Sequence, residues 1–485
     1  MLKEFQAAGD SIDFHRVACR LYQSSTPYFP FFGLLSGLLS LSDTDGADDL
    51  RRLVTERSPH LLPWLSLIGT ACGLLIEPSP EVLALETEFR RIQLETAVVS
   101  LLEDVLTEPV ALCIEDAQWM DDASCQLVNA LVSDLARRPW VVLVAQRPDP
   151  GGPTAQIRAP DILMALHPLN PAELEALVGE LTRSTPLPQH RIATLVERSG
   201  GNPLFLLELL NAVQAGDDDE SLPTSVEGLL MARTDRLANA DRTLLRHLSV
   251  LGTGFDRSYV ADVAPRGASL SDEELARLAE FVRTDDRGWV WFRHDLVRVV
   301  AYEGLPFRTR RELHERVGES ILRRVGDNVD DVVPLLSLHF YRANRHREAW
   351  RYSTAAGDQA KAVYANADAA KLYRRALQAS AKIDVDGRLR AQALESLGDV
   401  EELTGNLVGA RAAYVAARQL SGDEPIVVAR MLLKSAFIDE RLGRYVTAVR
   451  SVRRGLRVLA PLDRTGDELR AELWGWLAAI RRSEE

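Results

Sequence analysis

"PVALCIEDAQWMDDASCQLV", residues 109–128, begins with an apolar run, Val110 to Ile114, that ends on two acids, Glu115 and Asp116. Five consecutive apolar residues bounded by a polar turn predict a buried strand. Asp121 and Ser124 stand just ahead of a second apolar-periodic segment, read as a helix from about Cys125 to Ala136. Acids at the carboxyl end of a buried strand sit where open α/β sheets bind ligands. In nucleotide-hydrolysing folds, an acid at that place holds Mg²⁺ or orients a water.

Outward from this stretch, "WVVLVAQR" (140–147) predicts a second strand and "DFHRVACRLY" (13–22) a third. Between them, Val82 to Leu106 carries apolar residues at helical spacing, among them Phe89, Ile92, Ala97 and Leu101. Strands separated by helices predict a parallel α/β sheet. "MLKEFQAAG" at the start reads as a helix remnant. The most apolar segment, Leu61 to Ile76, contains Pro63 and two glycines. It falls short of the ~20 apolar residues of a membrane span, so it reads as a buried helix.

After Pro168 the pattern turns helical. Asn170 is placed as a helix N-cap with Pro171 at the first helical position. Gly200–Gly201 breaks two further helices, and the acidic "AGDDDESLP" marks a boundary near 215–223. From 224 to about 325, helices are interrupted by "FVRTDDRGWVWFRH", whose alternating apolar residues around "DDRG" predict the hairpin of a winged helix. Past Val332 the chain repeats: Ala369, Ala410 and Ala448 align, followed in register by Tyr373, Tyr414 and Val452, then Ala376, Ala417 and Gly455. The separations of 41 and 38 residues (410 − 369 and 448 − 410) exceed the ~34 of a tetratricopeptide unit. Small residues at such positions are what close helix pairing requires, so TPR-like helical repeats are expected. The expected division is 1–165, 166–215, 216–325 and 332–485.

A chain of 485 residues with 46% hydrophobic and 26% charged residues has the profile of a globular protein of about three domains. Its net charge of −13 argues against general affinity for nucleic acid or anionic membrane. The four cysteines lack zinc or redox spacing and read as buried thiols. No signal-peptide core opens the chain, and a cytoplasmic location is expected.

Several stretches together resemble the STAND ATPases, the signal-transduction ATPases with numerous domains of the AAA+/P-loop class, of the type coupled to bacterial cyclases or LuxR-type regulators. "CIEDAQWMDDAS" is similar to their Walker B region, in which an acidic pair precedes an aromatic residue, an Asp and a Ser, here Trp119, Asp121 and Ser124. The resemblance implies a Mg²⁺-side role for Glu115 and a water-orienting, catalytic one for Asp116. Arg147 takes the place of a polar sensor residue at the end of the next strand. "SGGNPLFLLEL" looks like the family's lid motif, with Pro203 beside a purine. "WFRHDLVRVVAYEGL" is similar to the Met-His-Asp element of the related NB-ARC switches, which implies a β-phosphate contact for His294.

One element of that pattern is missing. A P-loop requires G-x-x-x-x-G-K-[ST], because backbone N–H groups and a lysine neutralise the phosphates. No such run occurs, and between Lys3 and Lys361 there is no lysine at all. "MLKEF" resembles the segment that directly follows the P-loop in this family, which implies a start just after that loop. Binding of ATP or ADP with Mg²⁺ and ATPase activity are then both in doubt. Loss of the strand that precedes the loop should expose apolar sheet edge.

The expected fold is therefore an incomplete P-loop NTPase parallel sheet followed by all-α regions: helical lid, winged helix and TPR-like repeats. The acidic segment "SLSDEELARLAEFV" in the recognition-helix place speaks against DNA binding. The resemblance implies a nucleotide-dependent switch that senses a protein partner through its repeats, with self-association open. A nucleotide-free interaction scaffold, or part of a LuxR-type regulator, remains the alternative.

Overall fold

The computed structural model describes residues 12–42, 45–148, 152–183, 185–214, 223–265, 270–285, 288–422, 424–462 and 464–483. The helix remnant expected at the start lies outside them. The chain forms two compact units: one from residues 1–158 together with 325–485, the other from 159–324.

The first unit opens with β1 (Asp13–Ala18), then α1 (Phe29–Leu38), α2 (Gly46–Arg57), α3 (Leu65–Ala71) and α4 (Thr87–Val105). β2 (Val110–Glu115), α5 (Asp122–Val132) and β3 (Trp140–Val144) complete this part. The strands run parallel in the order β1-β2-β3, with Ala18 opposite Glu115 and Ile114 opposite Val144. β2 is central, so both its faces and both its edges are covered, and Val110 to Ile114 are buried. This explains its unbroken apolar run where β1 reads "DFHRVA". Among the described residues no strand pairs with the outer edge of β3, where Val141 is 44% exposed.

Three sequence expectations need adjustment. The helix predicted over 82–106 is broken at Glu86, whose extended backbone separates a single turn at Pro80–Ala84 from α4. Ala97 and Leu101 are buried, but Phe89 and Ile92 are about half exposed, because only the later turns of α4 meet the core. The segment 61–76 is a 3-10 turn (Pro59–Trp64) containing Pro63, then the short buried α3. The helix expected from Cys125 begins three residues earlier, since Asp121 caps it, and α-helix ends at Val132.

The second unit contains α6 (Pro171–Leu181), α7 (Gln189–Ser199), α8 (Pro203–Gln214), α9 (Val226–Arg236) and α10 (Asn239–Leu248). Then come β4 (Gly254–Asp256), α11 (Asp272–Arg277), β5 (Val282–Thr284), β6 (Trp289–Phe292), α12 (Asp295–Glu303) and α13 (Phe307–Val325). Asn170 caps α6 in a capping box with Glu173. β5 and β6 form the antiparallel hairpin, and β4 adds to β6 to give the order β4-β6-β5. The acidic α11 has only six residues.

The first unit resumes with α14 (Val333–Arg342), α15 (His346–Ala362), α16 (Asn366–Ser380), α17 (Gly387–Leu403) and α18 (Leu407–Leu420). It ends with α19 (Pro425–Arg441), α20 (Tyr445–Leu459) and α21 (Asp467–Ser483). The pairs α15–α16, α17–α18 and α19–α20 are successive helical hairpins. Each turns through a hydrogen bond that spans five residues: Ala365 N–H to Ala360 O, Asn406 N–H to Glu401 O, and Arg444 N–H to Asp439 O. Ala369, Ala376, Ala410, Ala417 and Ala448 are all buried at the register read from sequence.

The aromatic positions of the repeat explain its small partners. A Cβ on Gly357 would lie 2.8 Å from the Tyr373 ring, and one on Gly398 only 2.3 Å from the Tyr414 ring. In the third hairpin the places sixteen residues apart are Ala436 and Val452, both buried. A larger knob takes glycine opposite, and a smaller one admits alanine.

Gly398→Ala is therefore expected to lower stability by up to about 2 kcal/mol, the overpacking cost of about 1–3 kcal/mol less a helix-propensity gain of about 1 kcal/mol. Combined with Tyr414→Val it should cost less than the sum of the two single changes. Denaturant titrations of the four proteins check this, and strict additivity would show that the two residues do not touch.

Candidate functional site

At the carboxyl end of the sheet, β2 delivers Glu115 and then turns at once. Asp116 takes the left-handed conformation (φ 52°), which reverses the chain into a 3-10 turn over Ala117–Trp119. Ala145 N–H donates to Ile114 O (2.8 Å), and Ala117 N–H to Ala145 O (3.0 Å). The loop after β2 is thereby fastened to the end of β3. Arg147 follows in that β3 loop and is exposed. Glu115, Asp116 and Arg147 thus share one sheet end, as their order along the chain predicts.

Their partners were not legible in the sequence. The Glu115 carboxylate is engaged by the Arg16 guanidinium, which reaches across from β1. Asp116 accepts a bond from Gln118 Nε2 (3.0 Å), while Gln118 Oε1 accepts from Arg147 N–H (3.2 Å). Gln118 therefore ties the two loops together.

Behind these residues lies a more deeply buried acidic cluster. Asp121 caps α5, accepting from Ser124 N–H (2.8 Å) and Ser124 Oγ (2.6 Å). It also accepts Tyr28 N–H (3.0 Å) just ahead of α1. The next two N–H groups of α5, those of Asp122 and Ala123, donate to Asp368 of the repeat helix α16 (3.3 and 3.2 Å). Lys371, one turn further along α16, pairs with the Asp122 carboxylate. Asp122 also accepts from Gln156 Nε2 (2.9 Å).

Burial raises Asp121 to about 6. Burial, followed by the charges of Asp121 and Asp122, also pushes Asp368 well above the usual carboxylate range. Burial opposes the charge on Lys371, but Asp368 and Asp122 outweigh it and its pKa rises. The aligned repeats carried a signal for Asp368: Gly409 and Thr447 fill the equivalent places, so a buried acid there departs from the pattern.

Two site residues belong to the second unit. Gly201, at φ 86°, brings its backbone against Pro168, where a Cβ would come within 2.4 Å. Asn202 then accepts from Leu204 N–H and Phe205 N–H (3.0 and 3.2 Å), starting α8 with Pro203 in its first turn. His294 stands at the N-cap of α12 in extended conformation, exposed, with its carbonyl accepting Val297 N–H.

Glu115, for which the resemblance implies a Mg²⁺-side role, is thus occupied by an arginine. The arrangement can orient and couple loops, and it holds a helix terminus against the repeats.

No protein-family model matches the chain. An uncharacterized protein of Rhizobium meliloti (strain 1021) is 24% identical over 371 residues, which is 71% of this chain and 35% of that protein. The chain thus spans about a third of that relative's length. Among solved structures, a Signal Transduction ATPase with Numerous Domains (STAND) protein with a tetratricopeptide repeat sensor, from Pyrococcus horikoshii, is similar at 14% identity. The match covers 95% of this chain and 83% of that one, with a TM-score of 0.37.

The acidic cluster sets a direction for pH dependence. A carboxyl group raised on folding adds stability below its unfolded pKa of about 4, and loses it as pH rises through the folded value. For Asp121 that value is about 6. Asp368→Asn should cost most at acid pH, with its penalty shrinking between pH 4 and 7. Urea unfolding of both proteins across that range is the measurement. A penalty independent of pH would show that Asp368 is ordinarily ionised.

Proposed function

We propose that this chain is a STAND-type regulatory module, in which helical repeats recognise a protein partner and an α/β core responds. The observation that carries this reading is the joint between the two parts. Sheet residues such as Leu112 and Ile114 share one hydrophobic core with Ala369, Tyr373 and Val400 of the repeats. The helix after the acid-bearing strand is capped by a repeat aspartate, Asp368. A partner that shifted α16 would displace the N-terminus of α5 and, through Asp121, the segment entering α1. The strand-end residues Glu115, Asp116 and Arg147 lie directly before or beside that helix.

The order of elements supports the assignment: parallel sheet, helices with the Gly-Gly-Asn-Pro turn, three-stranded hairpin unit with His294, then repeats. This reading gives ATP, ADP and Mg²⁺ no role, since the 485 residues contain no G-x-x-x-x-G-K-[ST] run. A cytoplasmic setting and a separate output domain belong to this proposal. Among the described residues no helix is long and apolar enough to cross a membrane.

The test is equilibrium binding of fluorescent ATP and ADP analogues alongside a phosphate-release assay. No saturable binding below about 1 mM is expected, weaker than about −4 kcal/mol, and no turnover. Hydrolysis that disappears in Glu115→Gln or Asp116→Asn would overturn the nucleotide-free part of this reading and require a phosphate cradle built from other residues.

A further inference from the structure

Helix α20 differs electrically from the repeat helices before it. From α15 to α19, cations are matched by acids on neighbouring helices: Lys361 and Lys434 both reach Asp399 (2.8 and 2.6 Å), Arg430 reaches Glu395 (2.8 Å), and Arg411 reaches Asp439 (2.6 Å). On α20, Arg450, Arg453 and Arg457 are exposed and, among the described residues, pair with no carboxylate. Nearby Arg418 is lowered by burial and by two like charges, Arg454 and Arg411. In a chain of net charge −13, these three arginines thus stand on one helix without a carboxylate partner among the described residues.

The arginines form a stripe. Val446, Arg450, Arg453 and Arg457 follow spacings of four, three and four, which place them on one helical face. With Val449, and with Leu477 and Ile480 from α21, they line a groove of about 500 Å³. Val446 is 75% exposed, so the groove presents apolar surface to solvent. We propose that this groove docks an acidic amphipathic helix of a protein partner. The partner's carboxylates would meet the arginine stripe, and its apolar residues the Val446–Leu477 side. This rests on the reading that the repeats recognise a protein, and it names the chemistry of that partner.

The arrangement favours a peptide helix over nucleic acid. Arg450 to Arg457 covers about 10 Å at 1.5 Å per residue, two turns of a helical ligand. Its flank is apolar where a phosphate backbone would need donors. A helix laid in a groove is read by anchors at i, i+3 or i+4, and i+7, the spacing of the stripe itself.

The experiment uses the full chain and fluorescein-labelled synthetic helices of about 15 residues, one carrying glutamates at i, i+3 and i+7 beside a leucine stripe. Companion helices replace the glutamates by glutamine or by lysine, and a labelled DNA duplex is a fourth probe. Fluorescence anisotropy should show binding of the glutamate peptide that weakens as salt rises from about 50 to about 300 mM. The glutamine peptide should bind about tenfold more weakly. R450E/R453E/R457E should lose the glutamate peptide and gain the lysine one, a reversal that a misfolded variant would not produce. Equal binding of the glutamate and glutamine peptides, no binding of either, undiminished binding to the triple variant, or duplex bound as tightly as the glutamate peptide would each overturn the proposal. If the glutamate peptide binds the triple variant as tightly as the natural chain, the groove is wrong while protein recognition by the repeats stands. Nucleotide turnover in the assay above would instead strike only the nucleotide-free part of the regulatory reading.

Discussion

Two backbone N–H groups at the start of α5 point into protein, and the carboxylate that receives them belongs to Asp368, 246 residues away from Asp122. A helix terminus left buried without acceptors would strand polar groups at a cost of about 1–3 kcal/mol each. The repeats therefore complete the cap that Asp121 begins. This requirement fixes α16 against α5, and through α5 the loop that carries Glu115 and Asp116. It also concentrates three acids around one lysine, the source of the raised carboxyl pKa values.

Within the repeats, packing and charge follow separate rules. The buried seam alternates large and small residues: Tyr373 against Gly357, Tyr414 against Gly398, then the reduced pair Val452 and Ala436. The tyrosine hydroxyls are not left dry, since Tyr373 donates to Asp358 (2.6 Å) and Tyr414 to Asp399 (3.0 Å). Asp399 in turn receives both Lys361 and Lys434. This ladder links α15, α17 and α19 and stops before α20, where among the described residues Arg450, Arg453 and Arg457 pair with no carboxylate.

Periodicity made the architecture readable. The alanine and tyrosine register of the repeats, the buried β2 and the capped α6 all follow from residue spacing, because each element must hide one face. The small parallel sheet followed by helical repeats was legible for that reason. Interactions between segments distant in sequence were not. Nothing in "DFHRVA" announces that Arg16 will neutralise Glu115, and nothing near Asp121 points to Tyr28. Phe89 and Ile92 fit a helical pattern but lie on turns that the core does not reach. Only Asp368 left a trace, as the acid that interrupts the run of small residues at its repeat position.

The first unit is discontinuous: the chain leaves it at Arg158 and rejoins it at Val325. During synthesis the sheet, with its buried β2, emerges long before the helices that complete its core. At ribosomal speeds of roughly 5–20 residues per second, Asp368 arrives roughly 12–50 s after Asp122. For that interval the amino-terminal part must persist with an incomplete core and an open strand edge. Early folding of the inserted residues 159–324 would help, because a compact insert shortens the loop that remains to be closed. The order in which the units mature is thus written into the connectivity, and the amino-terminal part alone would be a natural client for a chaperone.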